Sequence, residues 1–135
     1  MHAILARIYW AQGDPDNALE AERQELVFRG DAQLLAALEQ GLDTAGPSGA
    51  LLAMAEALVE RARTSYVDPF IIGETYARVG AIDEALTWLD RAVEYGSFET
   101  TYIAFRPDFD VLREDPRYGD LVDRVYGPGN PITAR

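Results

Sequence analysis

The sequence predicts an all-α protein made of antiparallel helix pairs and closed by a helical cap at its C-terminal side. Three observations carry this expectation. Apolar residues recur at helical spacing, as in Ile72, Tyr76 and Val79 and again in Ile82, Leu86, Leu89 and Val93. Asp14-Pro15, Asp68-Pro69 and Asp115-Pro116 each offer a carboxylate N-cap followed by a proline suited to the first helical position. Gly13, Gly46 and Gly80 separate amphipathic stretches at intervals of 33 and 34 residues, and glycine suits the left-handed conformation common at helix ends.

In chain order, His2 to Gln12 reads as a helix with Leu5, Ile8 and Tyr9 on one face. Gly13 turns the chain, and Asp14-Pro15 starts a helix running to about Phe28, with Ala18, Leu19, Leu26 and Val27 facing inward. Asp31 to about Thr44 carries a stripe of Leu34, Leu35, Leu38 and Leu42, which Gly46-Pro47 breaks. Ala50 to Arg63 resumes with Leu51, Leu52, Ala55, Leu58 and Val59 inward. The Asp68 to Tyr95 stretch is the clearest pair. Ile72, Tyr76 and Val79 line its first helix, Gly73 lies beside that stripe, and Ala85 is small enough for two helices to cross at roughly 8–10 Å. After Gly96-Ser97, prolines Pro107 and Pro116 punctuate a last segment in which Phe105, Phe109, Leu112 and Tyr118 are expected to seal the end of the stack.

Ile72-Gly73, Tyr76, Gly80, Ala85, Leu89 and Ala92, with Leu5, Ala6, Tyr9, Gly13 and Ala18, fall on one spacing pattern. This pattern resembles the tetratricopeptide repeat (TPR), a helix–turn–helix unit of about 34 residues. In the middle copy Leu51 takes the family's small-residue slot and Ala55 the large one, an exchange of volumes that would conserve filled space. Glu22 stands where a large apolar residue is usual. Pro107-Asp108-Phe109-Asp110 and Asp115-Pro116-Arg117-Tyr118 look like the close of many bacterial TPR proteins, including long regulators. The resemblance implies one TPR-like domain over residues 1–126, a right-handed superhelix with pairs at about 2–28, 31–63 and 68–95, a cap at 99–126 and a flexible tail at 127–135. It also implies that the chain is the C-terminal part of a larger bacterial regulatory protein.

In TPR arrays the first helix of each pair lines a concave groove. Carried over position by position, the resemblance places Arg7, Trp10, Gln33, Gln40, Asp43, Phe70, Glu74 and Arg78 on a partner-binding surface. The slots that clamp a peptide carboxylate in some family members hold Ala3, Arg7, Ala36, Gln40, Phe70 and Glu74, with no Lys or Asn among them. A basic or neutral, apolar-anchored protein segment is therefore the expected partner.

Composition narrows the chemistry. The net charge of −11, with every one of the 12 basic residues an Arg, opposes binding to phosphate backbones. With no Cys and no Lys, thiol catalysis and Schiff-base chemistry have no side chain to use. The single His is His2, and Asp14/Asp16/Asn17 and Asp108/Asp110 lack the spacing of a calcium loop. No cofactor or metal is expected. No apolar run reaches membrane-spanning length and no secretory leader opens the chain, so the expected location is cytoplasmic. A non-enzymatic scaffold is the first expectation. Self-association through the N-terminal edge is the alternative, and a carboxylate-based hydrolase centred on Glu74 near Arg78 is a third. Solvated i,i+4 pairing is the simpler account of Glu74 and Arg78.

Overall fold

The computed structural model describes residues 2–128, with side chains from residue 4 onward. Most of the expected tail and the side chain of His2 fall outside the described residues. Within them the fold is all-helical, with no strand, and no helix is long and apolar enough to cross a membrane. Where the sequence reads as one domain, the internal contacts cluster into two units, Met1–Thr64 and Ser65–Arg135.

In the first unit, helices α1 (His2–Ala11) and α2 (Pro15–Arg29) pack together across the Gly13 turn. Asp14 caps α2 by accepting from the Asn17 N–H at 3.3 Å, with Pro15 in the first turn. Segment α3 (Ala32–Arg61) is two helical arms, 32–44 and 47–61, broken at Ala45 and Gly46; Pro47 opens the second arm, three residues before the expected start at Ala50, because proline suits a first helical turn. The arms fold back on each other. Arg61 donates to the Asp31 carboxylate at 2.8 and 2.9 Å, and at the other end Gly41 lies against Gly49 and Ala50. That bidentate ion pair depresses the Asp31 pKa while Asp31 also caps its arm through the Leu34 N–H.

The exchange of volumes expected in this pair is not what forms. The links before α2 and α5 (Ile82–Tyr95) have three residues, 12–14 and 79–81, but the link inside α3 has two. Gly46 therefore directly precedes Pro47, at φ 72° and ψ −163°, a region open essentially to glycine alone. Counted from the first helical residue, Ala18, Ala50 and Ala85 fill the same slot, followed by Leu19, Leu51 and Leu86, and all six are buried. The large slot three residues further on holds Glu22, Met54 and Leu89. Gly46 is thus not the positional equivalent of Gly13 and Gly80, and with its link one residue shorter the middle pair keeps the common register in its second arm. Its first arm keeps a different register: Gly41 makes the close approach six residues before Pro47, whereas Gly73 does so nine before Ile82.

The second unit is built on α4 (Pro69–Arg78) and α5, antiparallel across Gly80. Asp68 caps α4 through the Phe70 N–H at 3.0 Å and also accepts from the Ser97 hydroxyl, tying the start of this unit to the end of α5. A Cβ on Gly73 would come within 3.0 Å of Leu89, so its absence sets the helix separation. Four helices across the two units stop in one way. The N–H groups of Asp14, Asp31, Ala81 and Ser97 reach back five residues to Tyr9, Leu26, Tyr76 and Ala92 at 2.9–3.1 Å, each just after a left-handed glycine.

The cap comprises two 3-10 segments, Phe98–Tyr102 and Pro107–Leu112, and α6 (Pro116–Tyr126). Phe109, Leu112 and Tyr118 are buried as expected, with the Tyr118 hydroxyl donating to the Ile103 carbonyl at 2.7 Å. Phe105 is not: it is 66% exposed, and Ile103 and Ala104 point inward instead. Segments with about three residues per turn put i and i+3 on one face, which selects Thr100 with Ile103 and Phe109 with Leu112. The apolar faces expected for α1, α2 and α3 are also narrower than their stripes. Leu5, Ile8, Val27, Leu42 and Leu52 are exposed, while Ala6, Ala21 and Met54 are buried.

Two glycine substitutions test this packing. A Cβ at Gly41 would sit 2.3 Å from the Gly49 carbonyl oxygen, so Gly41→Ala should lower the unfolding free energy by about 1–3 kcal/mol. Gly119 in α6 has open space around it, and Gly119→Ala should raise stability by roughly 0.4–1 kcal/mol. Urea titration measures both.

Candidate functional site

The eight residues expected to face a partner divide between the units. In the first unit Arg7 and Trp10 are half-buried on α1, and Gln33, Gln40 and Asp43 are exposed on the first arm of α3. The Gln33 side-chain carbonyl accepts from Arg61 at 3.0 Å, so that side chain is held by the base of the hairpin. In the second unit Phe70 is fully buried, edge-to-face against Phe109 at 5.5 Å, and Glu74 is buried beside it. The Arg78 side chain is only 9% exposed. These three positions of α4 therefore do not form an open lining. The second 3-10 segment packs on α4, and the chain covers with its own cap the face expected to meet a partner.

What α4 carries instead is a charge network. Phe70, Glu74 and Arg78 follow at i, i+4 and i+8, one stripe of the helix. Arg106 spans the carboxylates of Glu74, at 2.7 Å, and Glu99, at 2.6 Å, with its guanidinium 5.1 Å from the centre of the Phe70 ring. Arg78 stands 3.4 Å from the Asp108 carboxylate but 3.9 Å from that of Glu74. Each member of the expected solvated i,i+4 pair thus makes its shorter contact with the cap. The spacing was legible, but the burial came from residues about 30 positions downstream. The sequence signal missed was the alternation Phe105-Arg106-Pro107-Asp108-Phe109, aromatic and charged by turns in a segment meant to close a core.

Asp108 is the outlier. Burial of its carboxyl pushes its pKa up to about 6 from 3.8, and the Glu74 carboxylate beside it pushes the same way while Arg78 opposes. A carboxyl so placed can hold a proton shared with Glu74, but both groups are enclosed and engaged by arginines. Two open hollows lie elsewhere. A cleft of about 480 Å³ between α5 and α6 is floored by Leu86 and Leu121 and edged by Asp90, Arg91, Arg117 and Arg124. A smaller hollow of about 270 Å³ lies between α2 and α3. Neither is lined by Glu74 or Asp108.

No protein-family model, characterised protein or solved structure shows significant similarity to this chain. Among the described residues no group of three or more His, Asp or Glu side chains is arranged to hold a metal ion. Asp14 and Asp115 both act as helix caps, accepting from Asn17 and Arg117 main-chain N–H groups.

The raised pKa has a definite sign in stability. Between pH of about 4 and 6 the folded protein keeps a proton on Asp108 that the unfolded chain releases, so this group stabilises below that window and costs stability as pH rises through it. The shift corresponds to roughly 3 kcal/mol. Asp108→Asn should therefore gain stability relative to the parent as pH rises from about 4 to 7, with the difference levelling off above that. Denaturant titrations at several pH values measure it, and a pH-independent difference would contradict the assignment.

Proposed function

We propose that the chain is a non-enzymatic, TPR-like interaction module that presents helix-pair surfaces to a protein or peptide, within a larger cytoplasmic regulatory protein of bacterial origin. The observation that supports this best is the common register of the second helices. Ala18-Leu19, Ala50-Leu51 and Ala85-Leu86 occupy one place in three successive pairs, the hallmark of a unit used repeatedly. Right-handed stacking of the pairs belongs to this proposal, as does the absence of catalysis. The carboxylates with the most unusual surroundings are locked between arginines and aromatic rings, an arrangement that holds a cap in place.

Arg7, Trp10, Gln33, Gln40 and Asp43 remain the candidate contacts from the family register, with Trp10 as anchor because aromatic residues dominate interface energetics. A second reading has its own observation. Ile4, Leu5 and Ile8 on α1 are all exposed, which favours self-association of two chains through this helix. Sedimentation over a wide concentration range decides that point, and a monomer throughout removes it.

Selection of a displayed random-peptide library on the immobilised chain tests the main reading. Enriched peptides should be displaced by soluble chain, and Trp10→Ala should weaken the best of them by more than about fivefold without moving the melting temperature. Phe70→Ala, in contrast, should cost about 3–5 kcal/mol of stability. Failure to enrich any peptide over the uncoated support would overturn the module.

A further inference from the structure

The second unit carries aromatic side chains that its core does not use. Tyr66 and Tyr95 are 65% and 64% exposed, their rings tilted against each other with centres 5.4 Å apart. Phe98 is 75% exposed and meets Tyr102, itself 43% exposed, edge-to-face at 6.3 Å. The segments that carry the two pairs are tied together. The Ser97 hydroxyl donates to Asp68 at 2.9–3.0 Å, joining the 66–68 segment to the turn that links Tyr95 to Phe98. Large apolar rings gathered in this way on a solvent face mark interaction surfaces more often than chance exposure does.

Carboxylates accompany these rings along the chain. Asp68 accepts from Ser97, two residues after Tyr95 and one before Phe98, and Glu99 follows Phe98 with 38% of its side chain exposed. Arg106 is engaged by Glu74 and Glu99, and its guanidinium sits 5.2 Å over the Tyr102 ring. The protein's own arginine thus shows how a ring and a carboxylate here take a guanidinium together. Aromatic faces attract cations through their quadrupole, and neighbouring carboxylates add to that attraction.

We propose that the rim formed by Tyr66, Tyr95, Phe98 and Tyr102 docks an arginine- or lysine-bearing peptide segment, whose cations lie over the exposed rings and pair with Glu99. This rests on the interaction-module reading and gives its partner a chemistry. It also moves the docking surface away from the α4 positions that the cap covers. The acidic balance of the whole chain, −11, steers such a segment toward the protein without choosing the site. The rings choose it.

The test uses the whole chain and a fluorescein-labelled peptide alternating Arg and Gly, with a Gln-for-Arg version as control, read by anisotropy near 100 mM salt. The Arg peptide should bind and the Gln peptide should not. Phe98→Ala and Tyr95→Ala should each weaken binding by about fivefold or more, Tyr95→Phe should retain it, and melting curves should stay superimposable. Asp16→Asn with Glu56→Gln removes two exposed charges from the first unit and should change affinity by less than about twofold. Equal losses from the charge variant and the aromatic variants, or no binding at all, would overturn the rim. Peptides enriched from the library that bind independently of Tyr95 and Phe98 would overturn it too, while leaving the module standing.

Discussion

In two of the folded-back pairs, the arms of α3 and α4 with α5, the backbones come close enough that a single methyl group would not fit. Gly41 faces the Gly49 carbonyl and the Ala50 Cα, and Gly73 faces Leu89 and the Ala85 carbonyl. Helices at such separation exchange side-chain contact for backbone contact, and the larger residues on either side then interlock instead of propping the pair apart. The buried Ala-Leu steps follow from this. Alanine occupies the crossing, and the leucine after it fills the space beside it. Helix ends in these pairs are equally constrained, because a left-handed glycine releases the chain and returns it within two or three residues.

The second unit adds a polar constraint to the apolar one. Phe70 is wedged against Phe109, and around that contact Glu74, Arg78, Arg106 and Asp108 are withdrawn from water. Desolvating these groups is costly, and their attraction offsets that cost only where the geometry is good. The Arg106 contacts at 2.6 and 2.7 Å meet that condition. The Arg78–Asp108 contact at 3.4 Å meets it less well, and Asp108 responds by retaining a proton to higher pH. Such a network specifies one seating of the cap on α4, since any shift would strand a charge. An apolar contact alone would tolerate sliding. In the two 3-10 segments, Thr100 with Ile103 and Phe109 with Leu112 keep a spacing of three.

The candidate surface was partly legible and partly misread, for one reason. Family register placed Phe70, Glu74 and Arg78 on a first helix, and in the structure they do share a stripe of that helix. Register does not say what lies against the stripe. Here the segment around Pro107 does, some 30 residues along the chain, so side chains with the composition of a binding face serve as a core. In the sequence the rings of Tyr95, Phe98 and Tyr102 carry no expected role. Tyr95 ends α5 on an exposed position, and the 3-10 turn after Gly96 leaves Phe98 and Tyr102 exposed as well.

By itself the sequence determined the helical class and most of the helix ends, though not the start of the second α3 arm or the 3-10 segments of the cap. Those features are local: an Asp-Pro cap, an apolar period and a glycine act within a few residues, and the structure places each where its chemistry requires. The length of one link escaped it, because Gly46 abuts Pro47 and only the folded hairpin reveals that the middle pair turns a residue earlier. The tertiary structure alone decided which face of each helix was buried. Periodicity fixes a stripe to within one residue's rotation, and the partner helix or cap then chooses Ala6 over Leu5, Ile103 over Phe105, and a covered α4 over an open one.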